Sequence, residues 1–259
     1  MSVERSEFVR FPLSRRYTIH RASGRASRRI RLVGGTSDWR RAIIERAGSA
    51  AIGLFGSHPW PSTDAWQWPL WSPERLIDAL RHHLDDVSIL AAAAPRQPGR
   101  ARLSLLCRSG GEDLVVKLGR PDDGLENEAA TLRLLADDPL PGIAVPAIVA
   151  AGRLGDDDPV AFVATSALGL DAQRPALDEP LRTFESDLAR RLSTLPRPVG
   201  CPSDWVPVHG DLAPWNLRRT SSGLALFDWE AAGWGPPGSD LAHYRRASAD
   251  LRRRSPLLR

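Results

Sequence analysis

The chain has 259 residues, 42% of them hydrophobic, and a formal net charge of +4. It is long enough for one two-lobed domain or two small ones, and too apolar to be disordered as a whole. No run reaches the roughly 18 apolar residues that span a bilayer, and no unbroken apolar segment typical of a secretion signal follows the basic N-terminal residues. We therefore expect a cytoplasmic protein, with Cys107 and Cys201 as buried free thiols.

Residues 1–85 form a predicted N-terminal extension rich in arginine and tryptophan. We expect a strand around Phe8–Leu13, a helix over Asp38–Arg46, and a helix from Pro73 to about Leu84 that Ser72 caps. Prolines interleave with four tryptophans in the loop between the helices, at positions 60, 66, 68 and 71. These rings could stack on sugars or meet a partner, or they could form a small satellite core.

The pattern changes after residues 91–100, which we interpret as a turn or linker because they are rich in alanine and then in proline and glycine. Arg102–Arg108 and Asp113–Leu118 flank Ser109-Gly110-Gly111, as in a β-hairpin. The second strand places Lys117 on the face opposite its apolar residues. Lys117 is the single lysine among 35 basic residues, which suggests a site where a guanidinium does not serve.

Both helices and strands are predicted through the rest of the chain. Periodicity and capping residues predict a helix over 124–136, strands over Ile143–Val149 and Val160–Thr165, an amphipathic helix over Asp178–Thr194, short strands over Val206–Val208 and Leu224–Asp228, and a last helix from Ser239 to about Leu251.

The most informative motif is His209-Gly210-Asp211, followed by Asn216 and then by Asp228. Phosphoryl transfer needs a carboxylate that accepts the proton of the acceptor hydroxyl, and an amide and a second carboxylate that hold Mg²⁺. Asp211 fits the first role, and Asn216 and Asp228 offer the oxygen ligands that a hard cation prefers. The alternative is that Asp211 and Asn216 only satisfy a turn.

Glu128 lies on the apolar face of the predicted helix, with Leu132 and Leu135 at helical spacing. A buried carboxylate needs a partner, and Lys117 is the candidate, because its compact ammonium can bridge Glu128 and nucleotide phosphates. Glu126 is the competing partner, on a face that is predicted to be more polar. The alternative is an ordinary exposed strand lysine with Glu128 at a helix edge.

With these residues the chain resembles the aminoglycoside phosphotransferase/choline kinase-like family of small-molecule kinases. The matching pieces, in the family's order, are Val115-Val116-Lys117, the helix Glu128–Leu135, the motif from His209 to Asn216, and Phe227-Asp228-Trp229-Glu230 followed by Asp240-Leu241-Ala242. The resemblance implies a protein-kinase-like, two-lobed α+β fold. Its N-lobe, residues 86–168, would carry a small antiparallel sheet, and its short, mostly helical C-lobe would be residues 169–259.

The resemblance also implies ATP and Mg²⁺ as cofactors and a small-molecule hydroxyl as acceptor. Asp211 would be the catalytic carboxylate, and Asn216 and Asp228 would hold Mg²⁺. Lys117 would contact the ATP phosphates, with Glu128 orienting it. Glu230 would add a water-mediated metal contact, and Asp240 would brace the loop. Independently of the resemblance, the tight turn at His209-Gly210 favours a loop-bracing histidine over an acid or base at His209.

Two further readings of function stay open. Because the sequence continues for only 31 residues after Asp228, the protein could be a catalytically silent nucleotide-binding or scaffold protein, or a partner subunit could complete the acceptor pocket. The arginine-rich ends could instead bind an anionic polymer, although nucleic acid is the less expected partner.

Other motif-based functions fit poorly. The six residues from Gly233 to Gly238 have the spacing of a dinucleotide-binding loop, but Pro236 and Pro237 remove two of the backbone donors that such a loop needs. No lysine stands where a P-loop requires one, and no Gly-x-Ser-x-Gly motif is present.

Overall fold

A computed structural model describes residues 7–14, 16–30, 39–57, 59–60, 68–94, 101–168, 173–177, 181 and 183–254. The strands and helices, in chain order, are β1 (Phe8–Arg10), β2 (Tyr17–His20), α1 (Trp39–Phe55), α2 (Pro73–Leu80), β3 (Ser88–Ala93), β4 (Leu103–Ser109), β5 (Glu112–Gly119), α3 (Leu125–Asp137), β6 (Ile143–Ala144), β7 (Ile148–Leu154), β8 (Val160–Ser166), β9 (Gln173–Pro175), α4 (Phe184–Arg191), β10 (Val206–Val208), β11 (Leu217–Thr220), β12 (Gly223–Leu226), β13 (Gly233–Gly235) and α5 (Ser239–Arg254).

The chain divides into two compact units. The first comprises Met1–Thr36, Arg40–Asp123 and Val149–Ala167, and the second comprises Ser37–Trp39, Gly124–Ile148 and Leu168–Arg259. One large antiparallel sheet characterises the first unit, and helices with two small sheets characterise the second. The predicted α+β class is confirmed.

The first unit is built on a seven-stranded sheet in the order β1-β2-β3-β4-β5-β8-β7. The predicted hairpin is its centre, since β4 and β5 pair in register from Leu103↔Leu118 to Ser109↔Glu112. Alternation along β5 buries its leucines and valine on the core face and leaves Lys117 half-buried on the other face, as the sequence predicts. In the register of the sheet, Lys117 lies opposite Ser104 on β4 and Val163 on β8.

Strand β3 corrects the interpretation of residues 91–100 as a turn or linker. Ala91, Ala92 and Ala93 are buried strand residues that pair with both β2 and β4. Alanine has low intrinsic strand propensity, but strand formation depends strongly on neighbours, and the small side chains fit a central strand. Residues 95–100 lie outside the described part of the chain.

Two of the four tryptophans contribute to the main core of the first unit and do not form a separate satellite core. Trp71 is 5% exposed, its Nε1 donates to Asp158 Oδ2 at 3.3 Å, and the Arg75 guanidinium lies over its ring. Trp68 packs against the same core and meets Phe8 edge to face. The Nε1 of Trp60 donates to the carbonyl of Gly56, and Trp66 lies outside the described residues.

Several predicted elements differ in extent from the observed ones. The predicted strand over Ile143–Val149 is two strands, β6 and β7, because Pro146 between them has no N–H to donate. Helix α4 covers Phe184–Arg191 and ends before the predicted Thr194; residues 178–180 and 182 of the predicted helix lie outside the described residues. Helix α1 extends beyond its predicted end to Phe55. Cys107 is a buried free thiol whose pKa is raised by burial, whereas Cys201 is a free thiol that is only partly buried.

The second unit packs α3, α4 and α5 around one apolar cluster that includes Leu188, Leu212 and the fully buried Trp229. Its four-stranded sheet has the order β6-β12-β11-β9, in which β11 and β12 form an antiparallel hairpin and β6 adds in parallel. Strands β10 and β13 form a separate antiparallel pair. In the described part of the chain, no helix is both long and apolar enough to cross a membrane.

Candidate active site

The loop that carries the predicted catalytic motif connects β10 to β11 in the second unit. His209 is fully buried at its start. Its Nδ1 accepts from the backbone N–H of Asp211 at 3.2 Å, so Nε2 carries the proton and donates to the carbonyl of Phe227 at 3.1 Å. The ring also packs against Trp229, with centroids 4.5 Å apart. Both ring nitrogens are therefore used to hold backbone, which fits a bracing role for His209.

Gly210 makes the tight turn between His209 and Asp211. Its φ is 82°, in the left-handed region, and a Cβ at this position would lie 2.2 Å from the backbone oxygen of Ala231. A side chain here would meet backbone that cannot give way, so the loop approaches the segment after β12 as closely as glycine allows.

Asp240, in the first turn of α5, fixes the loop from behind. Its carboxylate accepts from the backbone N–H of His209 at 2.6 Å and of Gly210 at 3.0 Å. The side chain is 2% exposed, and this burial raises the pKa of Asp240 although the two hydrogen bonds oppose the shift. Asp240 thus contacts loop backbone, as a bracing role requires.

Asp211 and Asn216 form a closed pair within the loop. Asn216 is 4% exposed, and its Nδ2 donates to both the backbone oxygen and Oδ2 of Asp211, each at 2.9 Å. Partial burial is the main cause that raises the pKa of Asp211, and the nearby charge of Asp228 raises it further. The hydrogen bond from Asn216 and the charge of His243 act in the opposite direction.

Asp228 follows β12 in a backbone conformation that non-glycine residues rarely adopt, with φ 68° and ψ 65°. The backbone N–H of Phe227 donates to the carbonyl of Asn216 at 3.0 Å, so the β11–β12 hairpin places Asn216 next to this strained position. Strain of this kind persists only where the surroundings impose it, and it concentrates at functional sites.

Asp228 is one of three carboxylates that lie close together. Oxygens of Glu128, Asp228 and Glu230 all lie within 4.8 Å of one another. Glu128 is 3% exposed on the inner face of α3, as the sequence predicts, and Glu126 is exposed. A half-buried group of like charges is unfavourable without a cation or a proton, and carboxylate oxygens are suitable ligands for Mg²⁺.

Asn127 fastens this cluster from α3. Its Nδ2 donates to the backbone oxygens of Glu230 and Ala232, which flank the end of the short 3₁₀ turn Trp229–Ala231. Asn127 and Glu128 are adjacent on α3. The same part of this helix therefore binds the backbone of the 3₁₀ turn through Asn127 and contributes the carboxylate of Glu128. The backbone of this turn is therefore fixed where the three acidic side chains meet.

The structure brings together the predicted residues of the second unit, Asp211 with Asn216 and Glu128 with Asp228. Lys117 lies on β5 of the first unit. Sequence reasoning did not single out Asn127 or His243. His243 Nε2 lies 3.3 Å from Asp211 Oδ1, and its position three residues after Asp240 on a predicted helix was the signal that could have identified it.

Similar solved structures include several small-molecule kinases. An aminoglycoside-3'-phosphotransferase of type VIII is 23% identical, with 70% of this chain and 90% of that chain covered, at a TM-score of 0.42. An amicoumacin kinase in complex with AMP-PNP and Ca²⁺ is 13% identical, with 66% of this chain and 68% of that chain covered, at a TM-score of 0.43. A microcompartment-associated aminopropanol kinase is 17% identical, with 65% of this chain and 72% of that chain covered, at a TM-score of 0.41.

The family comparison identifies the segment that carries the loop. No curated protein matches the sequence. Residues 170–256 match the model of the Phosphotransferase enzyme family. This segment, about a third of the chain, contains Asp211, Asn216 and Asp228 but not Lys117. The resemblance to the phosphotransferase family that the catalytic-loop motif indicated is confirmed, and it rests on residues 170–256 of the second unit.

Proposed function

We propose that the protein is a small-molecule kinase that transfers the γ-phosphoryl group of ATP to a hydroxyl of a sugar, an aminosugar or an amino alcohol. The observation that carries the proposal is the pair formed by Asp211 and Asn216, fixed at 2.9 Å in one loop and placed next to the strained Asp228. A turn that only satisfied its own backbone would not need a second carboxylate at this position.

Asp211 is the group that would receive the proton of the acceptor hydroxyl. Its side chain is two-fifths exposed, so a substrate can reach it, while Asn216 keeps one carboxylate oxygen in place. A positioned carboxylate of this kind both orients the hydroxyl and accepts its proton as the phosphoryl group is transferred.

The residues around Asp228 fit a Mg²⁺ ion. The amide nitrogen of Asn216 donates to two oxygens of Asp211, which leaves the carbonyl Oδ1 as a neutral ligand. Asp228 and Glu230 supply anionic oxygens, which lie within 4.8 Å of each other and of a Glu128 oxygen. When bound, Mg²⁺ would supply charge stabilisation for the phosphate oxygens of the nucleotide. We assign Asn216 and Asp228 as its ligands and Glu230 as a contributor through water.

Lys117 is assigned to the nucleotide phosphates. Strand β5 presents its ammonium on the face opposite the core, at a half-buried position. A compact ammonium in such an environment suits phosphate oxygens. The pairing of Lys117 with Glu128 stays a prediction.

Nucleotide binding is tested first by calorimetric titration with ATP, with and without Mg²⁺, beside the Asp228→Asn variant. We expect binding that depends on Mg²⁺ in the wild type and is lost in the variant. Equal affinity in all conditions would show that the acidic cluster holds no metal for the nucleotide and would overturn the assignment.

Transfer is tested with radiolabelled ATP and a panel of aminosugars, sugars and amino alcohols. We expect label on at least one acceptor class and none with Asp211→Asn, which should still bind ATP because Asp211 is not assigned as a nucleotide ligand. Near-normal kcat in Asp211→Asn would contradict the role of this carboxylate. ATP binding without transfer to any acceptor would instead support a catalytically silent nucleotide-binding protein.

A further inference from the structure

Two side chains near the start of α5 contact three consecutive residues of the catalytic loop. Asp240 accepts from the backbone N–H groups of His209 and Gly210. One helical turn later, His243 places its Nε2 3.3 Å from Oδ1 of Asp211. The helix therefore contacts the loop backbone through one side chain and the catalytic carboxylate through the next one on the same face.

The imidazole of His243 has one buried edge. The side chain as a whole is 40% exposed, yet Nε2 itself is buried and has no partner that satisfies hydrogen-bond geometry. Its distance to Asp211 Oδ1 is that of an ion pair, but the ring is not oriented for a hydrogen bond. A buried ring nitrogen left in this state is unfavourable.

The two oxygens of Asp211 face different neighbours. Oδ2 accepts from Asn216 Nδ2 at 2.9 Å, and Oδ1 faces His243. Hydrogen bonds of catalytic groups are often long or poorly aligned before substrate binds and shorten in the reactive complex. The geometry around Asp211 is of this poorly aligned kind: the hydrogen bond from Asn216 to Oδ2 is formed, whereas His243 lies close to Oδ1 without a hydrogen bond.

We propose that His243 is a positioning residue for phosphoryl transfer: its Nε2–H closes on Oδ1 of Asp211 and, with Asn216 on Oδ2, fixes the plane of the carboxylate towards the acceptor hydroxyl. This proposal rests on the proposed kinase function. The competing explanation is that His243 only fills space between α5 and the loop. The two explanations differ in which substitute for the histidine keeps activity.

The contact itself is tested without turnover, by long-range ¹H–¹⁵N spectra of the histidine rings. The chain has six histidines, and the resonances of His243 are identified by their absence in His243→Gln. We expect a proton on Nε2 of His243 and a clear change of its ring resonances in Asp211→Ala. An unprotonated Nε2, or a ring insensitive to Asp211→Ala, would overturn the proposal whether or not the protein is a kinase.

The consequence is tested by kinetics of His243→Gln and His243→Phe, with His82→Gln, an exposed residue of the first unit, as control. Glutamine keeps an N–H donor near the position of Nε2, whereas phenylalanine keeps the shape of the ring. We expect His243→Phe to lower kcat roughly ten- to a hundredfold, since misplacing a catalytic group by about 1 Å can cost a hundredfold. The KM for ATP should be unchanged, and His243→Gln should retain most of the activity.

Packing alone predicts the reverse order, with His243→Phe at least as active as His243→Gln, and that order would overturn the proposal. A wild type without any transfer activity would refute the proposed kinase function, and the ring spectra would still decide the contact between His243 and Asp211.

Discussion

Asn216 donates its side-chain amide to both the backbone oxygen and Oδ2 of Asp211, at 2.9 Å each. These two bonds determine how the amide is oriented, so the remaining carbonyl Oδ1 is directed away from Asp211. The same residue therefore fixes the carboxylate assigned to the acceptor and presents an oxygen suited to the metal. The spacing of five residues within one loop would allow Asn216 to serve both roles of the proposed function.

Replacement of Gly210 by alanine should be much more costly than the same change at Gly200. The two glycines have φ values of 82° and 80°, but an added Cβ meets the backbone oxygen of Ala231 at the first position and nothing within 4 Å at the second. The left-handed conformation alone costs roughly 1–2 kcal/mol for alanine. Overpacking at Gly210 should add about 1–3 kcal/mol. Urea unfolding of both variants measures the difference, and equal losses would mean that the loop does not approach the Ala231 backbone so closely.

Asp211→Asn should stabilise the metal-free protein, increasingly so as the pH rises above the ordinary carboxyl value of 3.8. Burial is the main cause that raises the pKa of Asp211 in the folded state, so its favourable contribution is complete below 3.8 and is lost as pH rises through the higher folded pKa. Asparagine does not titrate and avoids this loss. Thermal unfolding in EDTA from acid to neutral pH tests the trend, with exposed Asp204→Asn as control. If the stability advantage of Asp211→Asn over the wild type became smaller towards neutral pH, the pKa of Asp211 would not be raised in the folded state.

Asp228→Asn should abolish Mg²⁺-dependent nucleotide binding and leave the fold intact. Asparagine tolerates the left-handed conformation with φ 68° that this position requires, but it removes the charge. Asp228→Val is the contrasting variant, because a β-branched residue at positive φ should also lower stability, by about 1–3 kcal/mol. Calorimetry and unfolding curves of both variants separate the two effects. Full metal dependence in Asp228→Asn would remove Asp228 from the site.

Asn127→Ala should weaken Mg²⁺ binding although Asn127 is not assigned as a ligand. Its Nδ2 holds the backbone oxygens of Glu230 and Ala232, so its loss frees the turn that carries Glu230 and should cost about 1–3 kcal/mol of stability. The exposed neighbour Glu126 provides the control variant, Glu126→Ala. Titration of each protein with Mg²⁺ at saturating ATP measures the effect. The same metal affinity in Asn127→Ala and wild type would mean that the turn is held by other contacts.

Lys117→Arg should lower kcat despite preserving the charge, because a forked guanidinium does not replace a compact ammonium at a phosphate. The single lysine also permits a direct measurement: apart from the α-amino group, an amine-directed reagent has only Lys117 to modify. We expect Mg²⁺ and ATP together to protect Lys117 from labelling, as read by mass spectrometry. Labelling that ATP does not slow would place Lys117 away from the nucleotide.

The sequence predicted many of the local elements well, because these depend on residues close together in the chain. Alternation along β5 placed Lys117 opposite the core face, and the motif from His209 to Asn216 placed Asp211 and Asn216 in one loop, although their hydrogen bond appears only in the structure. Prediction failed at Ala91–Ala93, where strand formation depends on the neighbouring strands β2 and β4 and not on the alanines themselves.

By itself, the sequence determined the spacing of the loop motif and the position of Glu128 on the apolar face of its helix, since spacing and periodicity encode these directly. Only the tertiary structure decided that Glu128 meets Asp228 and Glu230, that Asn127 holds their turn, and that His243 reaches Asp211. These contacts join residues from 32 to 105 positions apart. Their geometry follows from how α3 and α5 pack in the second unit, which no local pattern specifies.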